Sequence, residues 1–521
     1  MMFAKFYAND ELIDILSASS YEPQLVEICN KLKSCDVLSN YIEGKVKLGV
    51  TGSIAKDYVE LGTPNAIPYI TTKQVNDIIA YISGSKYING LADKKWAKCR
   101  VNNGDILINK SGNVGAAAIL DASPYPYVNS VSDIISFSLK ENSGIDKAFL
   151  VVFLNSSYGQ SQLKRLSGGA IFDHVSLHAI GKLNVVIYQN KTQKYIGDKV
   201  RQAEQLRTWG KKIENKVNQF HFQLIPEQNK LNYGKKTRYV KSSNMTERFD
   251  AHFYPAVVED YLSSSNIEFD SLDNLSIEVF NGQTQDETTD YNSANQITVA
   301  HLSPVFLKGN PRQVIKPSNN SRYTQKHDLL LCNAAHNKSY IGRDITYCHT
   351  NKPLLPSTEV MVIRIPNEQI PASFVRCYLQ TKIGYIQIQS TIRGISAHSY
   401  PTDVKQINIP IPNIPSHLKQ KWFACDEQML KAGMANELST QLVDISKFLV
   451  EALIEGQITE QQIIDAQNAL EAGDNSLDRD ILSRVTDKGF DFERKSLFHD
   501  LDNLYDLLQE SQEAFEQKDH E

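Results

Sequence analysis

Through residues 1–190 and again through 249–414 the apolar positions come in short runs of β-branched and aromatic residues broken by Gly, Asn and Pro, which is the pattern of strands. The two stretches echo each other. Ala18-Ser19-Ser20-Tyr21 returns as Ala251-His252-Phe253-Tyr254, and Pro68-Tyr69-Ile70-Thr71 as Asn295-Gln296-Ile297-Thr298. Gly104-Asp105-Ile106-Leu107-Ile108-Asn109 matches His327-Asp328-Leu329-Leu330-Leu331-Cys332, an apolar strand pattern opened by an aspartate in both cases. Phe149-Leu150-Val151-Val152-Phe153-Leu154 matches Phe374-Val375-Arg376-Cys377-Tyr378-Leu379, with Gly159 and Gly384, then Gly169 and Gly394, at a constant offset. Lys182-Leu183-Asn184-Val185-Val186-Ile187 matches Gln406-Ile407-Asn408-Ile409-Pro410-Ile411. Order, spacing and chemistry survive in both copies, so the pattern predicts a tandem duplication of one strand-rich domain.

Each copy gives way to a helical rhythm. From Gln193 to Phe222 the residues Ile196, Val200, Ala203, Leu206, Ile213, Val217 and Phe220 recur mostly at three- and four-residue steps. From His417 to Leu453 the same rhythm runs through Met429, Ala432, Leu438, Leu442, Ile445, Leu449 and Ala452. Two such stripes predict an antiparallel helix pair that spaces two similar heads. The polar, basic stretch around Asn232-Tyr233-Gly234-Lys235-Lys236-Thr237-Arg238 fits a linker, with a turn or short strand as the other reading. From Gly456 the pattern is helical again, through Ile458, Ile463, Ile464, Ala466 and Leu470, a break at Gly473-Asp474-Asn475, and a last segment around Leu501, Leu504, Tyr505 and Leu508. The expected fold is α+β: a first strand-rich domain over 1–190, a spacer helix over 191–222, a linker over 223–248, a second strand-rich domain over 249–414, a second spacer helix over 415–455, and a helical extension over 456–521. The two spacers should form an antiparallel coiled coil.

Charge sharpens this picture. The whole chain carries a formal −5, but residues 456–521 hold 17 Asp or Glu against 6 Lys or Arg, a local −11 that leaves +6 for the rest. A mildly basic body with an acidic tail is compatible with DNA contact by the body, and equally with an ordinary solvated surface. The seven cysteines are scattered, without a Cys-x-x-Cys or zinc-finger spacing, and read as small buried apolar residues. No apolar run is long enough to span a membrane and the start lacks the form of a secretory signal, so the expected compartment is the cytoplasm.

At this point the sequence resembles the specificity subunits of type I restriction-modification enzymes. The resemblance covers about residues 15 to 455. It rests on Gly104-Asp105-Ile106-Leu107-Ile108-Asn109 followed by Gly115, on Leu166-Ser167-Gly168-Gly169-Ala170-Ile171, and on the endings Leu183-Asn184-Val185-Val186-Ile187 and Ile407-Asn408-Ile409-Pro410-Ile411-Pro412, repeated in order with helices between. It implies two target-recognition domains that read a split double-stranded DNA sequence, with the helices measuring the gap. It also implies partners: two methyltransferase (modification) subunits, which carry S-adenosylmethionine and methylate adenine, and often restriction translocase-endonuclease subunits. No cofactor is expected on this chain. The acidic segment after Gly456 departs from the family pattern.

Reading DNA takes positive charge for phosphates and planar hydrogen-bonding groups for base edges, and loops after strands supply both. Lys110-Ser111-Gly112-Asn113 follows a predicted strand; Asn113 suits an adenine edge and Lys110 a phosphate or guanine, with Ser111 between them. The equivalent turn, Asn333-Ala334-Ala335-His336-Asn337-Lys338, offers Asn333, His336 and Lys338. A second loop holds Arg165, Ser167, Gly168, Gly169 and His174, mirrored by Arg393, Gly394, Ser396, His398 and Ser399, where glycines let backbone amides approach a phosphate. A simple polar turn is the competing reading for every one of these. Thr71, Thr72, Lys73 and His301 are weaker candidates, and Lys94-Lys95-Trp96-Ala97-Lys98-Cys99-Arg100 reads as a solvated charged face.

Catalytic motifs do not compete with this reading. An amino-methyltransferase needs a polar-Pro-Pro-aromatic loop and no Pro-Pro pair occurs in the chain; a Gly-x-x-x-x-Gly-Lys phosphate loop and a Gly-x-Ser-x-Gly elbow are also missing. The expectation is a non-catalytic specificity subunit. The alternatives are a two-headed protein-binding scaffold or inhibitor of a methyltransferase complex, without sequence preference on DNA, and an undetected nuclease or methylase activity.

Overall fold

The computed structural model describes residues 12–516 apart from 14, 16, 169–173, 229–230, 235–239, 241–244, 246–247, 291, 319–321, 367, 492–495 and 499. The chain divides into two compact units, Met1–Gln205 with Leu438–Gln512 and Leu206–Glu437 with Glu513–Glu521. Both cuts pass through the long helices Asn190–Leu224 and Ser416–Glu455, so each unit holds one strand-rich head and part of each helix.

In the first unit, the strand Ile106–Asn109 lies at the centre of a five-stranded sheet ordered Ile42–Leu48, Ile134–Leu139, Ile106–Asn109, Ala117–Asp121, Ile79–Tyr81. All four of its residues are buried, which explains why it reads as an unbroken apolar run rather than an alternating one. A second sheet pairs Ile67–Ile70 with Tyr127–Ser130 in parallel. The second unit repeats the plan with fewer strands. Leu329–Cys332, also wholly buried, sits in the order Glu278–Asn281, Val360–Arg364, Leu329–Cys332, Ile345–Tyr347, and Ser293–Ile297 runs parallel to Leu354–Pro356. The duplicated sequence words therefore occupy equivalent strands.

The repeated aspartate proves to be a turn-closing residue. Asp105 accepts the amide of Asn102 at 2.8 Å, and Asp328 accepts that of Gln325 at 2.8 Å, three residues upstream in both cases. The buried carboxylates are completed from the neighbouring strand, by the Ser138 hydroxyl at 2.5 Å and by the Arg364 guanidinium at 2.8 and 2.9 Å. The repeated glycine has an equally local cause. Helix Lys147–Asn155 is followed at once by Ser157–Arg165, and Ala372–Leu379 by Lys382–Ser390. A Cβ on Gly159 would stand 2.4 Å from the Phe153 carbonyl oxygen, and one on Gly384 2.3 Å from that of Tyr378, so only glycine lets the second helix fold back on the first.

Each head is closed by pairing its first strand with its last. Asp36–Val37 runs antiparallel to Asn184–Val185, and Glu268–Ser271 to Asn408–Ile411. The long helices begin shortly after. Of the expected stripes, Ile196, Val200, Ala203, Leu206 and Val217, and Leu442, Ile445, Leu449 and Ala452, are buried, while Ile213 and Phe220 are half-buried. In the second unit the Lys421 ammonium lies over the Phe220 ring at 5.0 Å, and a Cβ on Gly210 would be 3.0 Å from the Ala432 carbonyl oxygen. Rising numbers on one helix meet falling numbers on the other, an antiparallel pair.

The acidic extension is folded onto the first unit. Helices Glu460–Glu471, Ser476–Ser483 and Leu501–Glu516 follow the second spacer. Lys199 and Asp478, both 1% exposed, form an ion pair with 2.7 Å to each carboxylate oxygen, and the hydroxyls of Tyr195 and Tyr505 donate to the same carboxylate at 2.5 Å. Burial opposes ionisation of Asp478, but Lys199 and the two hydroxyls hold its carboxyl below the usual carboxylate range. Five cysteines are buried and Cys29 and Cys35 half-buried, all as free thiols; burial pushes Cys348, Cys377 and Cys425 up to about 12. Among the described residues no helix is long and apolar enough to cross a membrane.

Candidate nucleic-acid interface

In the first head the loop after the central strand is Lys110–Asn113. Asn109, fully buried, donates its side-chain amide to the carbonyls of Thr72 and Val75 at 3.3 and 2.9 Å, which holds the 72–74 turn against the foot of this loop. Ser111 donates to Asp133 at 2.6 Å. A second segment arrives from far along the chain: Ser167–Gly168 pairs with His174–Val175, and the Val175 amide donates to the Lys110 carbonyl at 3.3 Å. The two candidate loops are thus joined by a backbone hydrogen bond.

The second head makes the same junction. Its first loop is 333–338 and its second is 393–399, and the Ser399 amide donates to the Asn333 carbonyl at 2.8 Å while the Ala335 amide reaches the Ala397 carbonyl at 3.4 Å. Arg393 and His398 close the second loop by exchanging backbone hydrogen bonds at 2.7 and 3.1 Å. The two heads therefore present composite surfaces built by one rule, a loop after the buried strand tied to a loop after the helix pair.

Exposure sorts the named residues into two groups. Asn113, His174, His336, Lys338, Gly394 and His398 are exposed, and Lys110, Ser111 and Gly168 are half-buried. The side chains of Lys110, Asn113, His174, His336 and Lys338 carry no hydrogen bond or ion pair among the described residues, so their bonding capacity faces solvent. Gly169 lies outside the described residues. The other group turns inward. Arg165 is 7% exposed, with its guanidinium 5.8 Å from the Tyr21 ring centre and beside Cys29, whose thiol burial raises against the opposing pull of that cation. Ser167 donates to the Lys164 carbonyl at 2.8 Å, Asn333 to the Thr358 carbonyl at 3.0 Å, and Ser399 shares a 2.6 Å hydrogen bond with Thr391. These four shape the loops from beneath. Arg393 is exposed, yet its guanidinium is clamped in two places by the buried Asp403, with 2.6 Å from Nε.

Thr71 and His301 have local duties. Thr71 with Gln74, and Thr298 with His301, form the same capping box at equivalent turns, the His301 Nδ1 accepting the Thr298 amide at 3.0 Å. Lys95 lies over the Trp96 ring at 5.4 Å, and Arg100 pairs with the buried Asp93. Sequence reasoning missed Asp133 and Asp403, which position Ser111 and Arg393, and Tyr400, whose ring stacks on His398 at 6.4 Å. Nothing in the local sequence marks either carboxylate, because each acts across the fold.

Both heads carry paired loops with polar groups at the surface, Asn113 and His174 beside the half-buried Lys110 in one and His336, Lys338 and His398 in the other. The family described as the type I restriction modification DNA specificity domain matches residues 50–219, a span that includes most of the first head and of the first long helix. No curated protein sequence matches the chain. Among solved structures, the S subunit of a type I restriction-modification system from M. genitalium is 14% identical over 83% of this chain and 95% of its own, with a TM-score of 0.38. The HsdS subunit from Thermoanaerobacter tengcongensis is 12% identical over 81% and 96%, with a TM-score of 0.27.

Proposed function

We propose that the chain is the DNA-recognition subunit of a type I restriction-modification complex and reads a bipartite target, one half-site per head. The observation that carries this reading is the repeated junction of two loops, joined through Val175 to Lys110 in one head and Ser399 to Asn333 in the other. Asn113 and His336 present hydrogen-bonding groups suited to base edges, while Lys110 and Lys338 supply charge for phosphates or guanine. His174 and His398 border the same surfaces. The chemistry is borrowed: two adenine methyltransferase subunits bring S-adenosylmethionine, restriction translocase-endonuclease subunits bring cleavage, and this chain binds no cofactor of its own.

The test is to express the chain with its methyltransferase and map modified adenines across a genome by long-read sequencing. A split motif is expected, and Asn113→Ala should relax one half of it while His336→Ala relaxes the other, each by about 1–3 kcal/mol of base discrimination. Unchanged methylation in both variants, or a stable complex without any motif, would favour a scaffold or inhibitor of the methyltransferase instead.

A further inference from the structure

The tip of the second loop in the second head carries a fully exposed isoleucine. Ile395 has a relative exposure of 107%, against 0% for Ile341 and Ile388 in the same head. It follows Gly394, whose φ of +74° makes the turn, and precedes Ser396. A β-branched side chain in water contributes nothing to this fold, and single exposed apolar residues are ordinary on protein surfaces. Its support distinguishes this one. Below the tip, Arg393 and His398 exchange backbone hydrogen bonds, Asp403 clamps Arg393 and also accepts from Arg248 at 3.1 Å, and the Thr391 and Ser399 hydroxyls are joined. The loop is therefore a finger braced by hydrogen bonds and ending in an apolar side chain, bonded along one side to the loop that carries His336 and Lys338.

Resting on the function proposed above, we infer that Ile395 is a specificity-determining residue which reads a thymine in the half-site of the second head through its C5-methyl group. The major groove offers one apolar group on a base edge, that methyl, and an apolar tip on a loop that carries His398 and is bonded to the loop of His336 and Lys338 matches it. A braced finger loses little conformational freedom on binding, so removal of one methyl from water is retained as affinity. Because the side chain is fully exposed in the free protein, its removal is expected to leave the fold intact.

The experiment uses the complex with its methyltransferase subunits and duplexes carrying the mapped motif, with each thymine of the second half-site replaced in turn by uracil, which lacks only the methyl. Wild type is expected to bind one uracil duplex about fourfold more weakly, the worth of one buried carbon. Ile395→Ala should lose that difference while keeping the first half of the motif and its unfolding temperature. A second half-site without thymine, equal binding of every uracil duplex by wild type, or a thymine preference that persists in Ile395→Ala overturns the inference. So does a rise in 2-aminopurine fluorescence on binding that depends on Ile395 without any methyl dependence, because that marks a wedge between base steps. If wild type modifies no split motif at all, the functional reading fails first and this inference with it.

Discussion

Replacing Asp478 with alanine should release the acidic extension from the first unit. The carboxylate sits between Lys199, at 2.7 Å from both oxygens, and the hydroxyls of Tyr195 and Tyr505, and both charged partners are 1% exposed. Its removal leaves a buried ammonium without a counter-charge, a loss of about 3–5 kcal/mol, whereas replacing both partners by apolar residues of similar volume is close to neutral. Asp478→Leu combined with Lys199→Met should therefore be more stable than either single variant, a coupling of several kcal/mol in a double-mutant cycle. Because the chain holds two units, a single unfolding midpoint does not isolate the effect. Amide hydrogen exchange of helices Ser476–Ser483 and Leu501–Glu516 does, since their opening free energy should fall in Asp478→Ala while the second head keeps its protection. The pH dependence has a fixed sign. The folded carboxyl has a lowered pKa, so the unfolded state binds the extra proton, and the contribution is present above about pH 4 and lost as pH falls through the lower folded value. An Asp478→Ala cost under about 1 kcal/mol, or a double variant as damaged as the sum of the singles, would refute a buried ion pair as the clasp.

Two further outcomes follow from the second unit. Gly433→Ala improves helix propensity by about 1 kcal/mol, yet its Cβ would fall 2.3 Å from Cβ of His349, which holds Glu437 at 3.2 Å; net destabilisation by about 1–3 kcal/mol in urea unfolding is expected, and a stabilised variant contradicts the close approach. His221, wholly buried with Nε2 3.0 Å from the Ser373 hydroxyl, is pushed down to about 3 by burial and by Arg376. Protonation of the unfolded state should then cost up to about 1.4 kcal/mol per pH unit as pH falls below about 6.5, and His221→Asn should remove that slope, which stability measured from pH 7 to 5 would reveal.

The duplication was legible because its markers are set locally. A strand buried on both faces must be continuously apolar, an aspartate that accepts an amide three residues back must precede it, and a helix that folds straight back on another needs Gly159 or Gly384. The long helices were legible through their buried stripes. What escaped depends on residues distant in sequence. Lys199 stands beside Val200 in the stripe, where a lysine is expected to reach water; only Asp478, from the far end of the chain, makes its burial tolerable. Arg165 looked like a phosphate ligand for the same reason, since its inward turn toward Tyr21 and Cys29 is a tertiary fact. That each strand and helix pair runs into a polar loop could be read locally, but which side chains those loops expose is set by Asp133, Asp403 and Thr391, none of which belongs to a loop motif.

The closing strand pairs have an evolutionary reading. Where Asp36–Val37 lies against Asn184–Val185, and Glu268–Ser271 against Asn408–Ile411, the chain leaves each head beside the point at which it came in. A segment with neighbouring ends can be exchanged whole, like a cartridge, without disturbing what it is mounted on. Exchange between these paired strands would replace a head as one piece and leave the long helices as they are, so the geometry favours change by whole segments over change by single contacts.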